Sequence, residues 1–323
     1  MPHVMIDGAA RPGTAATLSH WPRSSTPPEL RRDLSAQIVI AALEAGYLDM
    51  SGVEVATIDH YDEDGVLALA LALVPGLAER HADLLVEAAA VGDFGVVQHR
   101  KSALIAFTLA ALAGPIRTPL ESVRALGGQK AKHLEICGLA ATHALSVIGD
   151  LARDPSPYEK LWVDEASAFD ASSAGLGDWV SIEELPEHDL AIVRVASEHA
   201  DAHLAHWEGQ VVHPAAVNSS TERLRVATIA GERFEMRYRY ESWVRMASFR
   251  PRPRVDLSGL ASALTELEPA GAKWHFDGAG ATRPVLATLG KVPSGVPPDE
   301  FLEQVVTHLF ALDSETPAWD PYR

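Results

Sequence analysis

Between Asp59 and Gly65 the chain places four acids and one histidine within seven residues: Asp59-His60-Tyr61-Asp62-Glu63-Asp64-Gly65. Asp62 and Asp64 are hard oxygen donors two residues apart, and His60 adds an imidazole. Such a set suits one or two Mn²⁺ or Mg²⁺ ions. Gly65 lets the chain turn tightly. The competing explanation is helix capping, because a carboxylate near a helix N-terminus is stabilised by the helix dipole. Capping accounts well for one aspartate and less well for three acids with a histidine.

The flanking residues decide where such a turn sits. Val53–Ile58 is rich in β-branched residues and reads as a buried strand, and Val66–Val74 is apolar on nearly every face and reads as a packed helix stopped by Pro75-Gly76. A strand, an acidic turn and a helix in that order put the acids at the carboxyl edge of a sheet, where open α/β folds bind ligands.

The string His60-Tyr61-Asp62-Glu63-Asp64-Gly65, after an apolar strand and before an apolar helix, resembles the first motif of the DHH phosphoesterases. That family includes RecJ-like nucleases, oligoribonucleases, cyclic-dinucleotide phosphodiesterases and a class of inorganic pyrophosphatases. The resemblance covers about Val53 to Val74. It implies that His60, Asp62 and Asp64 are manganese ligands and the catalytic residues of a hydrolysis at phosphorus. It also offers Asp93, in Val91-Gly92-Asp93-Phe94-Gly95, as a fourth metal ligand in place of a later aspartate, with His99 near it. No Asp-His-His tripeptide occurs in the chain. A catalytically degenerate, ligand-binding or interaction relative is therefore the alternative expectation.

An anionic substrate needs cations, and arginine forks suit phosphate. Arg237, Arg239 and Arg245 are the candidates for substrate binding, with Arg250, Arg252 and Arg254 following; a solvated strand face paired with the surplus acids is the plainer explanation. His199, His203 and His206 have helical spacing and offer a second metal set, or an exposed polar face. His20, in Ser19-His20-Trp21-Pro22, lies in a loop able to fold over a site, and His133 and His143 lie on a predicted helix. Neither a Gly-x-Gly-x-x-Gly fingerprint nor a Gly-x-Ser-x-Gly elbow is present.

Around these residues the pattern predicts an α/β protein with a helix-flanked, largely parallel sheet over 1–152. A connection over 153–186 and a smaller α+β domain over 187–323, the possible substrate-binding domain, complete it. Helices are expected at Glu29–Ala45 (starting at Pro27 or Pro28), Leu77–Ala90, Ser102–Ala113, Leu120–Leu151 with a break near Gly127-Gly128, around Ser197–Trp207, and at Asp299–Leu312. Arg223–Ile229 and Phe234–Met246 read as antiparallel strands around Gly231.

The formal net charge of −17 disfavours long duplex nucleic acid, which binds through lysine and arginine, and leaves a small phosphorylated ligand or short oligonucleotide as the expected partner. One cysteine, Cys137, excludes an intramolecular disulfide and a cysteine-rich zinc site. Neither a secretory signal nor an apolar run of the ~20 residues that span a bilayer is apparent, so a cytoplasmic, membrane-free protein is expected.

Overall fold

The computed structural model describes residues 1–50, 53, 55–74, 76–113, 130–200, 211–312 and 317–322, the side chains at 49, 50 and 130–136 excepted. The protein is α/β and divides into two compact units. The first is Met1–Ser167 with Met246–Ser248, and the second is Ala168–Arg245 with Phe249–Arg323.

In the first unit three short strands pair in parallel in the order β2-β1-β3: β1 (His3–Ile6), β2 (Thr14–Leu18) and β3 (Ala56–Ile58). Two of them lie in the Pro-, Thr- and Gly-rich opening, to which the sequence pattern assigns no strand. Apolar runs of four or five residues are too short for periodicity to register, and the neighbouring breakers hide them. Around the sheet stand α1 (Ser35–Glu44), α2 (Glu63–Leu73), α3 (Leu77–Phe94), α4 (Arg100–Ala113) and α5 (Lys130–Arg153). The prolines at 27 and 28 do not start α1. Pro28–Leu30 makes one 3-10 turn instead, and the helix begins at Ser35. Helix α2 is buried from Glu63 through Leu71 and packs against α1, α3, α5 and β3, which explains why it is apolar all round. The expected break at Gly127-Gly128 lies outside the described residues.

The segment 153–186 is not an irregular connection. It contains α6 (Glu159–Gly175) and β4 (Val180–Leu185), and the division between the units falls within α6. Small and polar residues on α6 keep its apolar periodicity weak, which is why the pattern reads as a loop.

The second unit is built on a six-stranded sheet in the order β4-β5-β6-β7-β9-β8, with β5 (Leu190–Val195), β6 (Arg225–Ala230), β7 (Arg233–Tyr238), β8 (Trp274–Phe276) and β9 (Val285–Thr288). Every pairing is antiparallel except β5 with β6. The β6–β7 hairpin turns at Gly231, whose φ of 57° is left-handed, as a tight hairpin requires. Helices α7 (Ser258–Leu267) and α8 (Pro298–Leu312) supply Leu260, Leu264, Phe301, Val305 and Leu309 to a core shared with Met236, Tyr238 and Leu286. No described helix is long and apolar enough to cross a membrane.

Candidate metal centre

All three parallel strands of the first unit end on a polar side chain at the same edge. The chain leaves β1 through Asp7, β2 through Ser19-His20, and β3 through Asp59-His60 and Asp62. Since β1 is the central strand, Asp7 is flanked by the histidines that follow its two neighbours. Its φ of 46° marks a turn out of the strand that few non-glycine residues adopt.

The resulting contacts converge on Asp7. His20 Nε2 lies 3.3 Å from Asp7 Oδ1, 3.5 Å from Asp93 Oδ2 and 3.8 Å from Asp64 Oδ2. His60 Nε2 lies 2.6 Å from Asp62 Oδ2 and 3.8 Å from Asp7 Oδ2. Two overlapping triplets, Asp7–His20–Asp64 and Asp7–His60–Asp62, each bring their donor atoms within 4.8 Å of one another. The first triplet is wholly buried, with Asp93 closing it from the last turn of α3. The second is the accessible one, because the side chains of His60 and Asp62 are 39% and 23% exposed.

Local structure explains why each group is held there. Asp62 is the N-cap of α2 and accepts from Gly65 N–H at 2.8 Å. Asp64, two residues further, caps a different helix. Leu34 at the N-cap of α1 has no accepting side chain, and the N–H groups of Ser35 and Ala36 donate to Asp64 at 2.7 and 2.9 Å. Ser35 Oγ donates to Asp7 Oδ1 at 2.8 Å. Capping and clustering are therefore not alternatives here, since a carboxylate with several lone pairs does both. At Gly65 a Cβ would lie 3.1 Å from both Asp62 Oδ1 and Asp7 Oδ2, so the glycine is what allows β1 and the turn to approach.

His20 has a fixed tautomer. Its Nδ1 donates to the Asp33 carbonyl at 2.5 Å, which directs Nε2 into the acids. Metal-binding imidazoles are oriented in this way by an outer carbonyl or carboxylate. The Asp33 carboxylate in turn accepts from Ala247 and Ser248 N–H at 2.9 and 3.0 Å, which ties the returning segment Met246–Ser248 to this unit.

The electrostatics are those of crowded acids. Burial opposes the charged form of His20, yet the hydrogen bond to Asp7 and the charges of Asp7, Asp64 and Asp93 lift its pKa to about 10. The Asp62 charge lifts His60 to about 10 despite burial. Burial, and then the Asp7 charge, push Asp64 up to about 7, and burial with the charges of Asp62 and Asp64 holds Asp93 well above the usual carboxylate range. Asp62 is half-buried, which opposes its charge, but the charge and hydrogen bond of His60 keep it below that range. Among the described residues no lysine or arginine pairs with Asp7, Asp62 or Asp64, and the cations facing them are the two imidazoles.

Of the residues expected from sequence, His60, Asp62, Asp64 and Asp93 come together. His20, which the sequence places in a loop able to fold over the site, joins them, and Asp7 is a member to which the sequence pattern does not point. The available signal was a repeated one: three short apolar runs, Val4-Met5-Ile6, Ala16-Thr17-Leu18 and Ala56-Thr57-Ile58, each followed within two residues by Asp or His. His99 stands apart, bound through Nδ1 to Glu87 at 2.7 Å.

The arginines expected to bind substrate lie in the second unit and are engaged within it. Arg237 pairs with Glu235. Arg239 is not on a strand face with Arg237, because β7 ends at Tyr238 and its guanidinium is buried on Glu241 and the Thr221 carbonyl. Arg245 lies 4.9 Å over the Phe249 ring. His199 stacks on Trp179 at 4.7 Å, while His203, His206 and the His133 side chain lie outside the described residues.

No curated protein and no solved structure matches the chain. The model of a family of unknown function, DUF6687, matches residues 1–321, and the chain belongs to that family.

Proposed function

We propose that this protein is a metal-dependent phosphohydrolase acting on a small phosphate ester or a short oligonucleotide, with Mn²⁺ or Mg²⁺ held at the edge of the parallel sheet. One observation carries the reading: four carboxylates, Asp7, Asp62, Asp64 and Asp93, converge with two imidazoles at the carboxyl ends of the strands. The donor set fits hard or borderline divalent cations, and two such ions with neutral imidazoles would balance the four acids without residual charge.

Asp7, His20 and Asp64, with Asp93 beside His20, would hold one ion, and Asp7, His60 and Asp62 would hold another. Bound there, a divalent cation lowers the pKa of a water molecule and neutralises phosphoryl oxygens. His60 and Asp62, the exposed members, are the groups that a substrate would meet. Ser35 fixes the Asp7 carboxylate through its hydroxyl, and the Asp33 carbonyl keeps His20 in the ligating tautomer. The resemblance of the His60–Gly65 string to the DHH phosphoesterases supports the same chemistry, and a reducing, cytoplasmic setting fits the single cysteine.

A second reading, a degenerate ligand-binding protein, draws support from Asp64. Both of its oxygens accept main-chain N–H groups, which occupies lone pairs that a metal would need. Manganese uptake and turnover of bis-p-nitrophenyl phosphate separate the two. The enzyme reading expects close to two equivalents of Mn²⁺ per chain and measurable hydrolysis, with both lost in Asp7→Ala. Uptake without turnover over a broad panel of phosphate esters would favour the binding protein, and no uptake would end the metal reading.

A further inference from the structure

Two divalent ions would only balance the four acids, so the charge of a phosphate itself is left to be met by a further cation at the rim. The second-unit arginines are committed to partners of their own. In the first unit Arg31 binds the Thr26 carbonyl, Arg32 the carbonyls of Glu29 and Arg31, and Arg153 the Asp150 carboxylate. Arg11 is placed differently.

It lies in the loop from β1 to β2, and its Nη2 donates to Asp59 Oδ1 at 2.5 Å. Asp59 follows Ile58, which pairs in register with Ile6, so it leaves β3 level with Asp7 leaving β1, and it immediately precedes His60. The guanidinium is thereby held at the carboxyl edge of the sheet, on the residue that precedes His60 of the accessible triplet. The side chain is 57% exposed, and the Asp59 contact is the one it makes among the described residues. Among the described residues the remaining donors of its planar fork meet no acceptor.

The loop is also preorganised. Arg11 N–H donates to Thr14 Oγ1 at 2.8 Å, Thr14 N–H donates to the Arg11 carbonyl at 2.9 Å, and Pro12 lies between them. Gly8 packs directly on Asp59, where a Cβ would come within 2.5 Å of the Asp59 Cβ.

We propose that Arg11 forms a phosphoryl-anion subsite at the rim of the metal centre, with Asp59 holding its fork in place and competing with the anion for it. This rests on the metal-centre reading, and the experiment keeps the two separable. The full chain is loaded with Mn²⁺, its metal content is measured, and inorganic phosphate is titrated calorimetrically. Arg11→Gln should keep the wild-type manganese content and weaken phosphate binding by about tenfold or more, the scale of one charge-assisted contact. Arg11→Lys should fall between the two, since it keeps the charge and loses the fork.

Asp59→Asn tests the same contact from the other side. It should tighten phosphate binding by roughly threefold through release of the fork, a gain within the range of an exposed ion pair. The double variant should return to the level of Arg11→Gln, whereas a general loss of negative charge would leave the gain in place. Wild-type phosphate affinity in Arg11→Gln, or failure of the manganese-loaded wild type to bind phosphate, overturns the subsite and leaves the metal centre standing. Failure of the wild type to take up manganese removes both.

Discussion

The two units bury charge in opposite ways. In the second, each buried ion is matched by groups that complement it. Arg254, fully buried, donates to Ser242 Oγ at 2.9 Å and to the carbonyls of Ala279, Ala281 and Thr282, between the rings of Tyr238 and Trp319. Arg239 faces Glu241, and Glu268 accepts from Trp274 Nε1, Ser294 Oγ and Gly295 N–H at 2.6–2.9 Å. In the first unit four acids, Asp7, Asp62, Asp64 and Asp93, crowd one another with two imidazoles between them, and burial with their mutual repulsion disfavours the ionised forms of Asp64 and Asp93. A protein interior tolerates unbalanced charge poorly. The proposed cations would relieve that crowding.

The largest effect should come from breaking the balanced side. Arg254→Met keeps much of the side-chain volume but leaves a ring of buried carbonyls without donors. A loss of about 3–5 kcal/mol is expected, the summed cost of leaving several buried carbonyls without a donor. Urea denaturation of the full chain measures it. A loss below about 1 kcal/mol would mean that water satisfies those carbonyls and that the contrast between the units is overstated.

The next effect is in the slope of stability with pH. The folded-state pKa of His20 and of His60 is raised to about 10 from an ordinary 6.5, so their contribution is full below 6.5 and is lost as pH rises toward 10. Asp64, raised to about 7 from 3.8, binds more protons folded than unfolded between those values, so it too lowers stability as pH climbs. Metal-free protein should therefore lose thermal stability steadily from pH 6 to pH 9. Manganese must displace the same protons, so the rise in Tm that it produces should grow over that window. Parallel Tm curves with and without manganese would show that the metal does not bind at these residues.

Legibility from sequence follows element length. Helices of about three turns or more, such as Ser35–Glu44 and Pro298–Leu312, and the β6–β7 hairpin around Gly231 carry enough periodic positions to be read, although α1 begins six residues after Glu29 and β7 ends at Tyr238, eight residues before Met246, with Glu241–Val244 helical instead. The acidic turn was legible because its donors are adjacent in the chain. Asp7 was not. It lies more than fifty residues from His60, after a four-residue strand, and its importance comes from being on the central strand. Strand order is a tertiary fact, set by pairing rather than by any local pattern. Helix α6 was missed for the opposite reason: its residues are permissive of helix but do not advertise a buried face.

The smallest effect has the most informative sign. Asp93 is buried, its ionised form is disfavoured by burial and by Asp62 and Asp64, and its Oδ2 lies 3.5 Å from His20 Nε2. Asn reproduces the shape of the protonated acid. At low pH, where the acid is protonated, Asp93→Asn should leave metal-free stability nearly unchanged. As pH rises, the wild type bears the increasing cost of ionising this group and the variant does not, so the variant should become the more stable by up to about 1 kcal/mol. Its manganese affinity should fall, because an amide oxygen is a weaker donor than a carboxylate. Stability and metal binding moving in opposite directions at one residue is what a site shaped for a cation predicts. A variant that loses stability at every pH would place Asp93 with the balanced charges of the second unit, as a structural partner of His20.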